Sequence, residues 1–202
     1  MALILLTRGG VKIHPVRLTF LVRLDMGRFS ALLRDVQTLE PPDSHHLNHA
    51  IGWLGLGCVA DARAELAQIA AEWQEHPEVL EVRWMLLAQE KQWDEALAVA
   101  RREMAAAPEE SSGWLHCAYA LRRIAGGGLA QARETLLPAV NLFPQEPVIP
   151  YNLACYACQL EQKAEAWQWF QRALHVGNKE NIKQMALADP DLKPLWAQIA
   201  AM

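Results

Sequence analysis

The sequence predicts an all-α chain built as an array of stacked helix pairs, and three observations carry that prediction. Alanines recur at a near-constant interval: Ala62, Ala96, Ala132 and Ala166 stand 96 − 62 = 34, 132 − 96 = 36 and 166 − 132 = 34 residues apart. Around each lies the same arrangement, a helix with small residues near its middle, a short turn, then the alanine on a second, apolar-striped helix. Pro77, Pro108 and Pro144 punctuate the ends of successive units, where one helix must stop and the next begin. Self-similarity at such a period marks an array in which each unit buries its apolar face against its neighbours.

Composition agrees with a packed chain. Of 202 residues, 52% are hydrophobic and 21% charged, the balance of a globular protein rather than a disordered one. A formal charge of −4 gives no general attraction to nucleic acid or anionic lipid. The pairs Arg101–Arg102 and Arg122–Arg123 sit among acidic neighbours and form no basic stripe, so nucleic acid is not an expected partner. The apolar run Ala2-Leu3-Ile4-Leu5-Leu6 is too short for an export signal, has no basic head, and is followed by Arg8 and Lys12. No stretch approaches a membrane span. Four cysteines do not make a disulfide framework in a chain of this size, so a reduced, cytoplasmic protein is expected.

Taken in order, residues 1–42 form an N-terminal segment with a degenerate helix pair. Residues 28–39 read as an amphipathic helix stopped by Pro41-Pro42. For residues 15–25 two readings stand, a partner helix or a strand, because Val16, Leu18, Phe20, Val22 and Leu24 alternate with period two. Residues 1–12, with a turn at Arg8-Gly9-Gly10, start a hairpin, lie disordered, or come from a misplaced start codon. Four units follow, at about 43–77, 78–108, 109–144 and 145–178. Their second helices carry apolar stripes: Leu66, Ile69 and Trp73; Leu136, Val140 and Phe143; Trp169, Phe170 and Leu174. The turn Gly126-Gly127-Gly128 absorbs the two extra residues of the third unit. Residues 179–202 supply capping helices, read as Asn178–Leu187 and Asp191–Ala201, with Asp189-Pro190-Asp191 as break and N-cap. They are expected to cover the open apolar end of the last unit.

These features resemble the tetratricopeptide repeat family, whose repeat is a helix–turn–helix of about 34 residues. The best-matched segment is Tyr151-Asn152-Leu153-Ala154 with Ala166, Phe170 and Ala173. Trp84, Leu87, Trp93-Asp94-Glu95-Ala96 and Pro108 make the second match, and Trp114, Ala118, Leu121, Ala132, Leu136, Ala139 and Pro144 the third. Ala50, Trp53, Gly57, Ala62, Leu66 and Ile69 fit more loosely, with Pro77 about three residues late for the frame. The resemblance implies a right-handed superhelical array of antiparallel helix pairs, about four repeats plus a degenerate N-terminal pair and a C-terminal cap. It further implies a module that holds another protein, without catalysis or cofactor.

Candidate chemistry is sparse. Cys155-x-x-Cys158 has redox spacing, but such a pair belongs at a helix N-terminus after a strand, and here both cysteines fall inside a helix. Zinc would need two further ligands, and no second close pair exists. His45 and His49 are four apart, but the glutamate of a metalloprotease motif and a third ligand are missing. They read as a solvated first turn capped by Asp43 or Ser44. Gly126-Gly127-Gly128 lacks the lysine and hydroxyl of a phosphate loop. Most tryptophans sit within repeat helices and read as packing.

In the resembled family, first helices of successive repeats line a concave face along which partners lie. Transferred repeat by repeat, that face comprises Asn48, Ile51 and Leu54; Glu81, Met85 and Gln89; Leu115, Tyr119 and Arg122; and Tyr151, Asn152, Cys155 and Gln159. Its aromatic, methionine and amide groups suit an extended or helical segment. Glu81 stands where a clamp for acidic tails would need positive charge. The expectation is an adaptor or scaffold binding a peptide segment of another protein, with self-association left open. A secretion-type chaperone is the narrower alternative, and a redox or metal protein using Cys155 and Cys158 the alternative of another class.

Overall fold

The computed structural model describes residues 38–202. The expectations for residues 1–37, a helix, a strand or a hairpin, lie outside the described residues. Within 38–202 the regular elements are all helical. They are α1 (Asp43–Gly55), α2 (Val59–Gln68), α3 (Pro77–Gln89), α4 (Trp93–Ala106), α5 (Ser112–Leu121), α6 (Leu129–Leu136), α7 (Ala139–Leu142), α8 (Val148–Gln159), α9 (Lys163–Val176), α10 (Lys179–Ala188) and α11 (Trp196–Ala200). Two 3₁₀ segments, Ala71–Trp73 and Pro190–Leu195, complete the set.

The helices pack as pairs: α1 on α2, α3 on α4, α5 on α6 and α8 on α9. Short turns reverse the chain within each pair, so the two helices run antiparallel. At the contact lines the recurrent alanines do what their size allows. Ala62, Ala96, Ala132 and Ala166 are all fully buried, as are Ala50, Ala118 and Ala154 on the facing helices. With no side chain beyond Cβ, the backbones approach closely and larger groups interdigitate on either side. Trp84, Tyr156 and Phe170 are the bulkiest of these. Phe170 contributes on the order of 1.5–3 kcal/mol by leaving water.

The turns of the first, second and fourth pairs repeat as well. Gly57, Lys91 and Glu161 all adopt positive φ, at 76°, 60° and 62°. Each stands two residues before a second helix, α2, α4 or α9. Lysine and glutamate pay a small steric cost there that glycine avoids. In the third pair the turn is longer, and a Cβ on Gly127 would collide with the carbonyl of Leu121. Glycine is thus required where the chain folds back on the end of α5.

Two second helices are shorter than their stripes predict. In the first pair α2 ends at Gln68, and Ile69 leaves it in extended conformation. Trp73 belongs to the following 3₁₀ turn, so Leu66, Ile69 and Trp73 do not share one helix. The late Pro77 is accommodated there, in residues 69–76, rather than by a longer helix. In the third pair, α6 stops at Leu136 and α7 resumes at Ala139 because Pro138 has no N–H to donate. Val140 and Asn141 instead bond to the carbonyls of Leu137 and Pro138.

The start of α1 also differs from expectation. Pro42 occupies the N-cap position, and neither Asp43 nor Ser44 caps the helix. Asp43 Oδ1 accepts from the Ala70 N–H at 2.7 Å, tying the start of α1 to the entry of the 3₁₀ turn. At the other end, Asn178 caps α10 by accepting from Asn181 N–H, and Asp189 Oδ1 accepts from Asp191 N–H, both at 3.0 Å. Pro194 keeps residues 190–195 in 3₁₀ form, so the second tail helix begins only at Trp196.

Candidate functional site

First helices of neighbouring pairs lie side by side, α1 against α3 and α3 against α5. Their shared face carries the side chains expected to meet a partner. Asn48 and Ile51 on α1 are exposed, and so is Glu81 on α3. Met85 and Leu115 are half-buried, each resting on the core with one side to solvent. Leu54 instead is 3% exposed and belongs to the core. Gln89 uses its amide to satisfy the Leu54 carbonyl at the end of α1, at 3.1 Å. It therefore stitches two pairs together.

Tyr119 sits in an aromatic nest. Its ring meets Trp84 edge-on at 5.7 Å and Trp93 at 5.8 Å, and Arg123 lies over it at 3.4 Å. Burial pushes its phenol pKa up, against the pull of the Arg123 and Arg122 charges. Next to it, α4 and α5 enclose a polar pair. His116 stacks on Trp84 at 3.7 Å, and its Nδ1 lies 2.7 Å from Oε2 of Glu103, which is 2% exposed.

The α5 and α8 part of the face is covered by the chain's own C-terminal segment. Arg122 donates to Asp191 Oδ2 at 2.6 Å, with both side chains largely withdrawn from water. Burial alone would lower the Arg122 pKa, but the hydrogen bond and charge of Asp191 outweigh it and raise it. Tyr151 donates its hydroxyl to Asp189 Oδ2 at 3.2 Å, and the Cys155 thiol points at the same oxygen from 3.7 Å. The Gln159 amide donates to the main-chain carbonyl of Asp191 at 3.0 Å. Asn152 remains with its own helix, donating to the Val148 carbonyl at 2.9 Å. Of the expected face residues, Arg122, Tyr151, Cys155 and Gln159 are thus gathered around one short acidic turn. The tail does more than cover the end of the last pair: it crosses α8 to reach α5.

Sequence reasoning read Asp189 and Asp191 as a helix break and cap, and missed their reach into this face. The one available signal was two carboxylates flanking a proline in a chain whose face residues include Arg122. Nothing in the spacing relates positions 69 residues apart.

The cysteine pair lies within α8, with Cys155 3% and Cys158 4% exposed. Burial raises both thiol pKa values, Cys155 well above the ordinary range with Asp189 and Asp191 adding to the effect. A redox or metal-binding cysteine needs the opposite, a stabilised thiolate. Among the described residues, no group of three or more His, Cys, Asp or Glu side chains is placed to hold a metal ion. His46 and His49 instead face Glu65 on α2, at 2.7 and 3.7 Å. A shallow cleft of about 190 Å³ between residues 91–95 and 123–125 is small beside ligand pockets of roughly 300–1,000 Å³. None of the described helices is long and apolar enough to cross a membrane.

The backbone matches solved tetratricopeptide repeat structures. TTC0263, a thermophilic TPR protein of Thermus thermophilus, superposes with a TM-score of 0.63 at 17% identity, over 78% of this chain and 82% of that one. Yeast Tom70 gives 0.59 at 17% identity, over 78% of this chain but 36% of its own. A double mutant of MamA from strain RS-1 gives 0.56 at 19% identity, over 68% and 76%. No protein-family model matches the sequence, and the search of curated proteins returns no match. At these identities the likeness carries the fold, and the fold is the tetratricopeptide-type solenoid of helix pairs.

Proposed function

We propose that this chain is a protein–protein interaction module, an adaptor or scaffold that holds a segment of another protein on the first-helix face of α1, α3 and α5. The observation that carries the reading is the division of that face. Its α5–α8 part is taken by the C-terminal segment, while Asn48, Ile51, Glu81, Met85 and Leu115 stay open to solvent wholly or in part. Ile51 is 43% exposed, and the half-buried Met85 on α3 offers a soft surface that adapts to different side chains. The raised thiol pKa values disfavour the redox alternative. A reducing compartment such as the cytoplasm suits the four free cysteines.

The test compares partner capture by the wild-type chain and by Ile51→Asp with Met85→Gln. The double variant should weaken capture by about 2 kcal/mol, roughly thirtyfold, with helicity unchanged. Arg101→Glu, an exposed change on α4, should alter neither. Equal capture by wild type and double variant would refute the assignment to this face.

A further inference from the structure

The C-terminal segment is held in the way a solenoid groove holds a peptide, and this detail reaches beyond a cap. A cap needs only apolar cover for the last helix pair, and Ile182 and Ala186 of α10, both buried, already contribute to it. The next residues leave that end and enter by an extended Asp189, φ −91° and ψ 112°. Four side chains from two different helices then read them. Arg122 and Tyr151 select carboxylates, at 2.6 and 3.2 Å, and Cys155 adds a weak donor to the second of these. Gln159 reads main chain, which is insensitive to side-chain identity. Beyond the carboxylates, Leu192 and Leu195 are 0% and 3% exposed, one and four residues after Asp191.

We propose that the α5–α8 section of the face is an acceptor for an acidic, leucine-bearing segment of a partner protein, of the pattern Asp-x-Asp-Leu-x-x-Leu, and that residues 189–195 are its built-in occupant. The segment acts as an autoinhibitory strap, and a partner of the same chemistry competes with it. Being tethered, the strap enjoys an effective concentration in the millimolar range, so a free competitor binds weakly until the strap is loosened. The leucines set what a competitor must supply, because a segment with the carboxylates alone would leave their two sites empty. The proposal deepens the interaction-module reading and rests on it, but it concerns the other half of the face.

The experiment uses the full chain and a fluorescein-labelled synthetic peptide with the sequence of residues 187–202. Asp189→Ala with Asp191→Ala in the chain loosens the strap while leaving Arg122, Tyr151 and Gln159 for the probe. This variant should bind the peptide at least tenfold more tightly than wild type by fluorescence anisotropy. The gain should vanish when Arg122→Glu is added, and when the peptide itself carries both aspartates as alanine. A folded variant that binds no better than wild type overturns the proposal and makes the segment a fixed cap. Hydrogen exchange on the wild-type chain decides the matter if the variant fails to fold. Amides of 189–199 exchanging tenfold or more faster than those of α8 support a strap that opens on its own, and exchange as slow as α8 overturns it. Partner capture sensitive to Ile51 and Met85 is a separate readout, so either half of the face can fail alone.

Discussion

Arg122 and Asp191 meet at 2.6 Å across 69 residues of sequence, joining the end of α5 to the segment that follows α10. The guanidinium also lies 5.6 Å from the centroid of the Tyr156 ring, which is 1% exposed, so the ion pair rests on the core. Removing one partner strands the other charge. Arg122→Met should therefore destabilise by about 2–4 kcal/mol, while Arg122→Met with Asp191→Asn should recover most of the loss. Thermal melting of wild type, Arg122→Met, Asp191→Asn and the double variant checks this; independent, additive losses would mean the two groups do not interact.

Gly113 of α5 lies directly against the backbone of α4 at Met104. A Cβ there would stand 2.6 Å from the Met104 nitrogen and 2.7 Å from its Cα, and backbone cannot step aside as a flexible side chain can. Gly113→Ala should cost about 1–3 kcal/mol through overpacking. Gly126→Ala has open space around its Cβ and should leave the melting temperature within a degree or two of wild type, about 0.5 kcal/mol.

Glu103 and His116 form a polar contact inside the joint between α4 and α5, and Glu103 Oε1 has no hydrogen-bond partner. The site is occupied by a hydrogen bond that an apolar pair would replace without orphaning anything. Glu103→Ala alone should cost about 2–4 kcal/mol, combining a cavity with a stranded imidazole. Glu103→Met with His116→Phe, which keeps a ring stacked on Trp84, should come within about 1 kcal/mol of wild type. Denaturant titration of both variants measures the difference.

The four thiols should divide into two classes. Cys58 is partly exposed, whereas Cys117, Cys155 and Cys158 are buried. Burial pushes Cys117 up to about 11, with Arg101 opposing and Glu103 adding to the shift, and it raises Cys155 and Cys158. The reactive species is the thiolate, whose fraction falls tenfold for each unit by which pKa exceeds pH. At pH 8 an aromatic disulfide reagent should modify one thiol per native chain quickly and the other three only on unfolding. Fast modification of two or more would show that at least one of Cys117, Cys155 and Cys158 is accessible in the native chain.

What the sequence determined by itself is the periodic part of this protein. Ala62, Ala96, Ala132 and Ala166 announce the close crossings because backbone contact tolerates almost nothing larger, and that restriction leaves a mark at fixed spacing. Lys91 and Glu161, at positive φ, show a periodicity that sequence reading passes over, since their residue types do not advertise the conformation. Local chemistry also set the break at Pro138, although the stripe of Leu136, Val140 and Phe143 concealed it. The face was legible only as a set of positions. Whether Arg122, Tyr151, Cys155 and Gln159 meet solvent or meet Asp189 and Asp191 depends on where a distant segment comes to rest. That choice belongs to the tertiary structure: burying Leu192 and Leu195 in the segment packed on α8 and α9 fixes the path of the tail, and the carboxylates are carried to Arg122 and Tyr151 with it.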